Sequence, residues 1–219
     1  MTKHFENQIE SLKKKILHLT AMVEQSLTEA VRSVRDRDIA LADKVIAADE
    51  SIDEFEVEVE EDCLKTLALY QPVASDLRFI IAVLKINNDI ERIGDLAVNI
   101  AQRAKSLVTL KSEDNPFELP EMSELTLAMV KKSIDALIKM DAGLAREVGT
   151  MDDRIDDMHK NAYRTAESEI SKSPKLVGYY INLLGISRYL ERIADHATNI
   201  AEDVVYLVEG NIIRHQIVE

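Results

Sequence analysis

Apolar residues recur at steps of three and four along most of this chain, with polar residues between them. This is the period of an α-helix that buries one face, whereas a half-buried strand would alternate at every second residue. The first such series begins at Phe5 and continues to Val34, and Asp36-Arg37-Asp38 then interrupts it. The pattern therefore predicts one long amphipathic helix that ends in a tight turn.

Proline marks the ends of the next segments. A second apolar series, over 41–67, stops at Gln71-Pro72, because proline has no amide hydrogen with which to continue a helix. A third series runs from about 74 to 110. Residues 111–120 carry two of the four prolines and no apolar period, so we interpret them as a linker.

The residues after the linker repeat this plan. A helix is predicted over 125–140, and the glycines within 141–149 indicate a loop or a weak helix start. The next helix is expected to end near Ser173-Pro174, and the last one at Gly210, a residue suited to a helix C-terminus.

This order of helices predicts the fold class. Short connections make successive helices antiparallel. We therefore predict an all-α protein of two tandem antiparallel three-helix bundles, over 1–110 and 121–219, related by an internal repeat. The composition agrees, since aromatic residues make up only 5% of the chain and Trp is absent.

Charge and cysteine content limit which partners and which cellular compartment are expected. The formal net charge of −13 repels phosphate backbones, so nucleic-acid binding is disfavoured. The single cysteine, Cys63, rules out an internal disulfide and is expected to be a packed thiol. The charged N-terminus is not a signal peptide, and the longest apolar run, over 79–84, is too short to cross a bilayer. We expect a soluble, cytoplasmic protein with no direct membrane insertion.

One segment occurs twice, a hundred residues apart. Residues 90–101 and 190–201 are identical at eight of twelve positions. Both copies contain a glutamate, an aspartate four residues later and an asparagine four further on, a spacing that places all three on one helix face. These residues are Glu91, Asp95 and Asn99 in the first copy and Glu191, Asp195 and Asn199 in the second.

The helix before each copy carries an acidic pair of its own. Asp53 lies 19 residues before Pro72 and Glu91 lies 19 after it, while Asp49 and Asp95 are each 23 residues from this proline. In an antiparallel hairpin, equal distances from the turn mean equal heights, about 28 Å from it for the inner pair at 1.5 Å per residue. The register therefore predicts four carboxylates at one level on neighbouring helices.

The second half gives nearly the same register about Pro174. Asp156 and Asp152 lie 18 and 22 residues before this proline, and Glu191 and Asp195 lie 17 and 21 after it. The acids follow inward-facing positions by one or two residues, which places them on the flank of each helix rather than in the core. Each half is thus predicted to carry a shallow acidic groove on its surface.

Four carboxylates at one level repel one another unless a proton or a cation compensates them. Oxygen ligands suit hard cations, so we predict a metal cluster in each half, with iron, zinc, manganese, magnesium or calcium all open. The predicted ligands are Asp49, Asp53, Glu91, Asp95, Asp152, Asp156, Glu191 and Asp195. The residues that could add a ligand or hold a carboxylate are Asn99, Asn199, Arg92 and Arg192. Either arginine could instead form an ordinary surface salt bridge.

Two alternatives to a metal site stay open at this point. Acidic pairs at this spacing are commonly solvated decoration of a helix surface. The carboxylates could also serve a metal-dependent enzyme or a metal store, yet there is no pair of E-x-x-H motifs, no nucleophile–base arrangement and no glycine-rich phosphate loop. His196 has no histidine at the equivalent position, Leu96, and is expected on the surface, and His159 stands alone. We predict that the protein is not an enzyme.

These motifs resemble those of the PhoU family of bacterial phosphate-signalling accessory proteins. The resemblance rests on the doubled Glu-Arg-Ile-(Gly/Ala)-Asp-x-Ala-x-Asn-Ile, the upstream D-x-x-x-D pairs and Tyr70-Gln71-Pro72-x-Ala74-x-Asp76-Leu77-Arg78. It covers essentially the whole chain and implies two three-helix bundles with metal clusters on the acids named above. The second half departs from it, with Ser173-Pro174-Lys175-Leu176-Val177-Gly178 in place of the Asp-Leu-Arg segment.

The resemblance also implies a regulatory function that no spacing argument provides. PhoU proteins are adaptors between the ATPase subunit of the phosphate ABC transporter and the phosphate-sensing histidine kinase, and they restrain uptake and signalling when phosphate is plentiful. By this resemblance we expect a metal-binding regulator of phosphate homeostasis, a homodimer, that reaches the inner membrane only through its partners. A purely structural helical dimer is the further alternative.

Overall fold

The structure, a computed structural model, describes residues 3–110 and 115–210 and is helical almost throughout. The helices are α1 Lys3–Asp36, α2 Ile39–Tyr70, α3 Ala74–Val108, α4 Leu119–Lys139, α5 Ala142–Lys172 and α6 Val177–Glu209, with a single 3-10 turn, Pro174–Leu176, before α6. No strand occurs in these ranges. The all-α prediction is therefore confirmed.

The α1–α2 and α4–α5 connections are the same turn. Arg37 and Met140 both adopt the left-handed conformation with φ 52°. The aspartate that follows each of them caps the next helix, and Asp38 and Asp141 accept hydrogen bonds from the amides of Leu41 and Leu144, at 3.0 Å in both cases. Each half is thus folded back on itself by a capped turn at the equivalent place.

The capped turn decides between the two alternatives for one stretch of the second half. The stretch 141–149 is not a loop but the start of a helix, because α5 begins at Ala142 and includes Gly143 and Gly149. Ala145 and Val148 are buried in this first part of α5. A good cap and two apolar contacts outweigh the cost of the glycines, which is about 1 kcal/mol each relative to alanine.

Helix α4 begins within the predicted linker. Residues 111–114 of the predicted linker lie outside the described residues. Leu119 and Pro120, predicted as linker, form the first turn of α4, which therefore starts six residues before the predicted position 125. Proline is tolerated there because the first amides of a helix have no partner within it.

The ends of α2 and α6 lie where proline and glycine in the sequence predict them. Gln71 ends α2 in the left-handed conformation, and its amide donates to the carbonyl of Leu67 before Pro72. Gly210 ends α6 with φ 75°, which confirms it as the stop of the last helix. None of the described helices combines the length and apolarity that crossing a bilayer requires.

The six helices form two bundles around one continuous core. α1, α2 and α3 pack against one another, and so do α4, α5 and α6, which confirms the two predicted three-helix bundles. The two bundles are joined along α3 and α6, with α1 also touching α4. The apolar faces of all six helices contribute to a single buried cluster.

One glycine brings two helices close together where the acids lie. A Cβ atom on Gly94 of α3 would stand 3.4 Å from Cγ2 of Ile52 on α2 and 3.7 Å from Val23 on α1. Gly94 and Ile52 each directly precede an acid of the predicted cluster, Asp95 and Asp53. The close packing of these neighbours sets the separation of the two acidic helices.

Candidate functional site

The first acidic cluster joins α2 to α3 at the level that the register predicts. The pKa of Asp49 is raised to about 6, first by burial and then by the negative charges of Asp53 and Asp95. The pKa of Glu91 is also raised, by burial first and then mainly by Asp95 and, more weakly, by Asp53. Carboxylates from both helices therefore lie within electrostatic reach of one another.

The second cluster repeats this arrangement between α5 and α6. The pKa of Asp152 is raised to about 6, first by burial and then by Asp195 and Asp156. Burial followed by the same two aspartates raises the pKa of Glu191. The pKa of Asp195 is raised by burial and by Asp156, while the charges of His196 and Arg192 oppose the shift. The two halves thus carry equivalent groups of coupled carboxylates.

The acids sit on the flanks of their helices, as predicted for a shallow groove. Six of the eight are half-buried, and Asp53 and Asp195 are more exposed, although the carboxylate of Asp195 is still covered enough for burial to raise its pKa. Two carboxylate oxygens, Oδ1 of Asp49 and Oε2 of Glu91, are closed off from solvent and accept no hydrogen bond within the described part of the chain. Burying an acceptor without a donor costs free energy, so a proton or a cation bound at these oxygens would stabilise the first cluster.

Arginine supplies part of the compensation in the first cluster. Nη1 of Arg92 donates to Oδ2 of Asp95 at 3.0 Å, and its Nε lies 3.4 Å from Oε2 of Glu91. The sequence allowed two roles for Arg92, a surface salt bridge or a contact with the acids of the site. Arg92 forms a salt bridge, and its partners are acids of the first cluster. The charge of Arg192 opposes the rise in the pKa of Asp195, but Arg192 makes no ion pair with a residue that the structure describes.

A metal fits these residues by donor chemistry and by charge. All eight side chains offer carboxylate oxygens, the ligands that hard cations prefer, and two of those oxygens have no hydrogen-bond partner. In residues 3–110 and 115–210, no three acidic, histidine or cysteine side chains converge on one point as placed. Binding an ion would therefore require these carboxylates to turn toward it, and the metal assignment stays a prediction.

The two asparagines of the repeat differ in their surroundings. Asn99 and Asn199 follow the acidic pairs by one turn, and neither side chain hydrogen-bonds to a described residue. Asn199 also lines a groove of about 560 Å³ between α3 and α6, together with Lys85 and Asp89. Their predicted role as extra ligands stays a prediction.

Histidine reveals a contact between the halves that the sequence did not indicate. Nδ1 of His196 on α6 lies 2.8 Å from Oδ1 of Asp89 on α3, and these side chains are only 19% and 16% exposed. The prediction that His196 is a surface residue is therefore wrong. The available signal was the mismatch within the repeat, since the equivalent residue of the first half is Leu96.

Two other candidates for chemistry have structural roles. Cys63 is buried, and burial raises the pKa of its thiol to about 12, which confirms a packed and unreactive cysteine. His159 Nδ1 lies 2.8 Å from the hydroxyl of Ser187 on α6. Ser187 is fully buried, and its hydroxyl also donates to the carbonyl of Leu184 at 3.0 Å, so this contact joins α5 to α6 within the core.

Comparisons with known proteins agree with the motifs. The family model of the PhoU domain matches residues 16–104 and again 119–204. The chain is 35% identical over 216 residues to the phosphate-specific transport system accessory protein PhoU homolog of Pseudomonas aeruginosa, which covers 98% of this chain and 89% of that protein. It is 36% identical over 208 residues to PhoU homolog 1 of Thermotoga maritima, covering 94% and 90%.

Solved structures show the same fold. The crystal structure of PhoU from Pseudomonas aeruginosa matches with a TM-score of 0.91 at 36% identity, over 94% of this chain and 100% of that one. PhoU from Streptococcus pneumoniae, a phosphate transport system regulatory protein, matches with a TM-score of 0.83 at 28% identity, over 95% and 98%. The relatives are named as accessory and regulatory proteins, which confirms that the chain is not an enzyme. With both of its halves matched to the PhoU domain, the chain belongs to the PhoU family.

Proposed function

We propose that this protein regulates phosphate uptake and the phosphate-starvation response. It acts as an adaptor between the phosphate ABC transporter, through its ATPase subunit, and the phosphate-sensing histidine kinase, and it holds both in check when phosphate is plentiful. The observation that carries this proposal is the similarity, over nearly the full chain, to proteins named phosphate-specific transport system accessory protein PhoU. We place its action in the cytoplasm, at the inner membrane when the transporter is engaged.

The internal repeat supports an adaptor because it gives one chain two similar surfaces. Two similar bundles lie side by side along α3 and α6, so one chain presents two related outer faces. Each bundle carries one group of coupled carboxylates at the equivalent place. We propose that a metal ion bound by each group relieves their repulsion and fixes the surface around it.

The adaptor proposal is tested by recovery of its partners. The purified full chain, immobilised, is exposed to the transporter ATPase and to the cytoplasmic part of the kinase from the same organism, at high and low phosphate. Both partners should be retained, and deleting the protein from cells should release uptake and the starvation response at high phosphate. Recovery of neither partner at either phosphate level would refute the proposal.

The metal proposal has a separate test in elemental analysis. Protein purified without chelator or an affinity metal should contain a stoichiometric metal ion. A variant with all eight carboxylates changed to alanine should contain none, while a variant with three exposed acids of α5 changed, Asp153→Asn, Asp157→Asn and Glu167→Gln, should keep its metal. Equal metal content in all three proteins would show that the clusters do not hold it.

A further inference from the structure

Helix α2 carries most of the net negative charge of the chain. Ile39–Tyr70 contains ten acidic and two basic residues, a formal charge of −8 out of −13 for the whole chain. The equivalent helix of the second half, Ala142–Lys172, contains seven acidic and five basic residues, a formal charge of −2. The two helices hold the same place in similar bundles, so this difference is not required by the fold.

Part of this charge follows one exposed face of α2 and is interleaved with apolar side chains. The face consists of residues spaced four, three, four and three apart, which therefore lie in one line along the helix. We call it the α2 stripe, and its members are Glu50, Glu54, Val57, Glu61 and Leu64. Val57 is 50% exposed and Leu64 is 53% exposed.

The acids of the α2 stripe are scarcely neutralised by the protein. Glu50 and Glu54 form no ion pair with any residue in the described ranges, and Glu61 pairs only with Lys65 on its own helix, at 2.9 Å. Other acids of α2 do have partners on neighbouring helices, as Glu58 and Asp62 do with Lys15. The stripe therefore presents two unpaired acids, Glu50 and Glu54, before Val57, and a third acid, Glu61, between Val57 and Leu64.

The second half provides an internal comparison. The offset of 103 residues that relates Asp49 to Asp152 also relates the α2 stripe to a line of residues on α5. That line is Asp153, Asp157, Lys160, Arg164 and Glu167. It contains three acidic and two basic residues and no apolar residue, and it is partly self-paired, with Lys160 3.5 Å from Asp157. This is an ordinary solvated helix face, and the α2 stripe differs from it at both apolar positions.

The charge and the apolar residues of the α2 stripe favour one class of binding partner. Its charge repels nucleic acid and anionic bilayers, and two copies facing each other would oppose acid to acid. An α-helix that places apolar residues on Val57 and Leu64 and basic residues on the flanking glutamates is complementary in both respects. We propose that the α2 stripe is the docking surface for a lysine- and arginine-rich amphipathic helix of a protein partner. This inference rests on the proposed adaptor function, which requires such a surface.

A binding assay with a synthetic probe tests the surface directly. The probe is a labelled helical peptide of about three heptads, with leucine in one stripe and lysine or arginine elsewhere, and its control is a scrambled peptide of the same composition. Fluorescence anisotropy with the full chain should show the patterned peptide bound at least about tenfold more tightly than the scrambled one. Equal affinity for the two peptides would overturn the proposal, because binding would then follow charge alone.

Matched variants separate the two parts of the surface. Val57→Ser with Leu64→Ser removes the apolar residues and keeps the charge, and it should weaken binding of the patterned peptide about tenfold. Glu50→Gln, Glu54→Gln and Glu61→Gln together should weaken it similarly and reduce its dependence on salt. The matched control on α5, Asp153→Asn with Asp157→Asn and Glu167→Gln, should stay within about twofold. Loss of binding in the α5 control equal to that in the α2 variant would overturn the assignment to this face.

Cross-linking in cells identifies the natural occupant by its chemistry. A photoreactive amino acid placed at position 57 or 64 should cross-link to a basic segment with an apolar stripe, whereas positions 160 and 167 should not. A cross-link to a second copy of this chain, to an acidic segment or to nothing would overturn the proposal. Failure to recover the transporter ATPase or the kinase while the patterned peptide still binds would refute the adaptor function and leave the docking surface in place.

Discussion

Asp49 and Asp152 occupy the same position in the two halves, each a carboxylate half-buried between two helices. Both have a pKa raised to about 6, and in both burial is the largest cause, followed by two neighbouring aspartates. Equal perturbation at equivalent positions shows that the arrangement of charges, and not only the sequence motif, is repeated. In the absence of a metal, ionisation of these two residues opposes folding.

The first prediction concerns the pH dependence of stability. The pKa of Asp49 rises from an ordinary value of 3.8 to about 6 on folding, so between these limits the folded chain binds more protons than the unfolded one. The free energy of unfolding of the metal-free protein should therefore increase as the pH falls from 7.5 to 5. Asp49→Asn with Asp152→Asn should raise the Tm at pH 7.5 and flatten this dependence.

The measurement is thermal unfolding across this pH range in the presence of a chelator. Acids with a lowered pKa, such as Glu29 beside Lys44, lose their contribution only at lower pH. Burial lowers the pKa of His159, which opposes the trend in this range, so the two raised aspartates are expected to outweigh this one histidine. Asp157→Asn, at an exposed acid of α5, serves as the control and should keep the wild-type slope. A Tm that falls steadily from pH 7.5 to 5 in the wild-type protein would contradict the prediction.

The sequence was enough to predict which acids group together at one level, but not how deeply each carboxylate is buried or what it pairs with. Distance along the chain and the rise of a helix fix which acids share a level, as with Asp53 and Glu91 on either side of Pro72. Side-chain rotamers and neighbouring helices determine that Oδ1 of Asp49 is buried and that Arg92 donates a hydrogen bond to Asp95. These features are three-dimensional, and no periodicity contains them.

At the scale of the element, the two capped turns show that glycines in a sequence can wrongly suggest a loop. Asp38 and Asp141 make the same cap, yet only the first was recognisable as a turn before a helix. Gly143 and Gly149 suggested irregular backbone after Asp141, although Leu144 repeats the spacing of Leu41 from its cap. Local propensity was overridden by the cap and by burial of one face.

The second prediction follows from these glycines. Gly149 lies in the interior of α5, and a Cβ atom there would meet nothing within 4 Å. Gly149→Ala should therefore increase the free energy of unfolding by about 0.5–1 kcal/mol, because alanine loses less backbone entropy in a helix. Urea denaturation of the two proteins measures the difference.

Gly143→Ala is the informative comparison within the same helix. A Cβ atom at this position would stand 3.2 Å from Oδ1 of Asp141, the oxygen that caps α5. Crowding of the cap should cancel most or all of the gain in helix propensity, so Gly143→Ala should be less stabilising than Gly149→Ala. A larger gain at Gly143 would show that the cap contributes little.

At the scale of the whole molecule, the decisive feature is the contact between α3 and α6. It is antiparallel, and polar bonds cross it at several levels. Lys85 Nζ lies 3.4 Å from Oδ1 of Asp203, and Arg103 Nη1 donates to Oδ1 of Asn182 at 3.2 Å. Gly185 makes room for this arginine, since a Cβ atom there would stand 3.3 Å from its Nε. The two bundles are therefore fixed to each other by specific pairs as well as by apolar packing.

This contact could not be predicted from the sequence, for a physical reason. Lys85, Asp89 and Arg103 lie on faces of α3 that look polar and solvated when one bundle is considered by itself. Asp89 and Arg103 become partly buried because α6 covers them, whereas Lys85 stays exposed and only its ammonium group reaches α6. A repeat describes how each half folds, whereas the joint between halves depends on the residues in which they differ, such as His196 and Leu96.

The last prediction tests this joint through the pair of Asp89 and His196. Both side chains are more than four-fifths covered, so removing one partner leaves a polar group largely buried without its bond. A double-mutant cycle of Asp89→Ala and His196→Ala, measured by urea denaturation, should give a coupling energy of about 0.5–3 kcal/mol. The exposed pair of Glu61 and Lys65 on α2 provides the matched cycle, and its coupling should stay below about 0.5 kcal/mol because solvent screens it. Equal coupling in the two cycles would mean that the pair of Asp89 and His196 contributes no more to the joint than an exposed surface pair does, and would contradict the prediction.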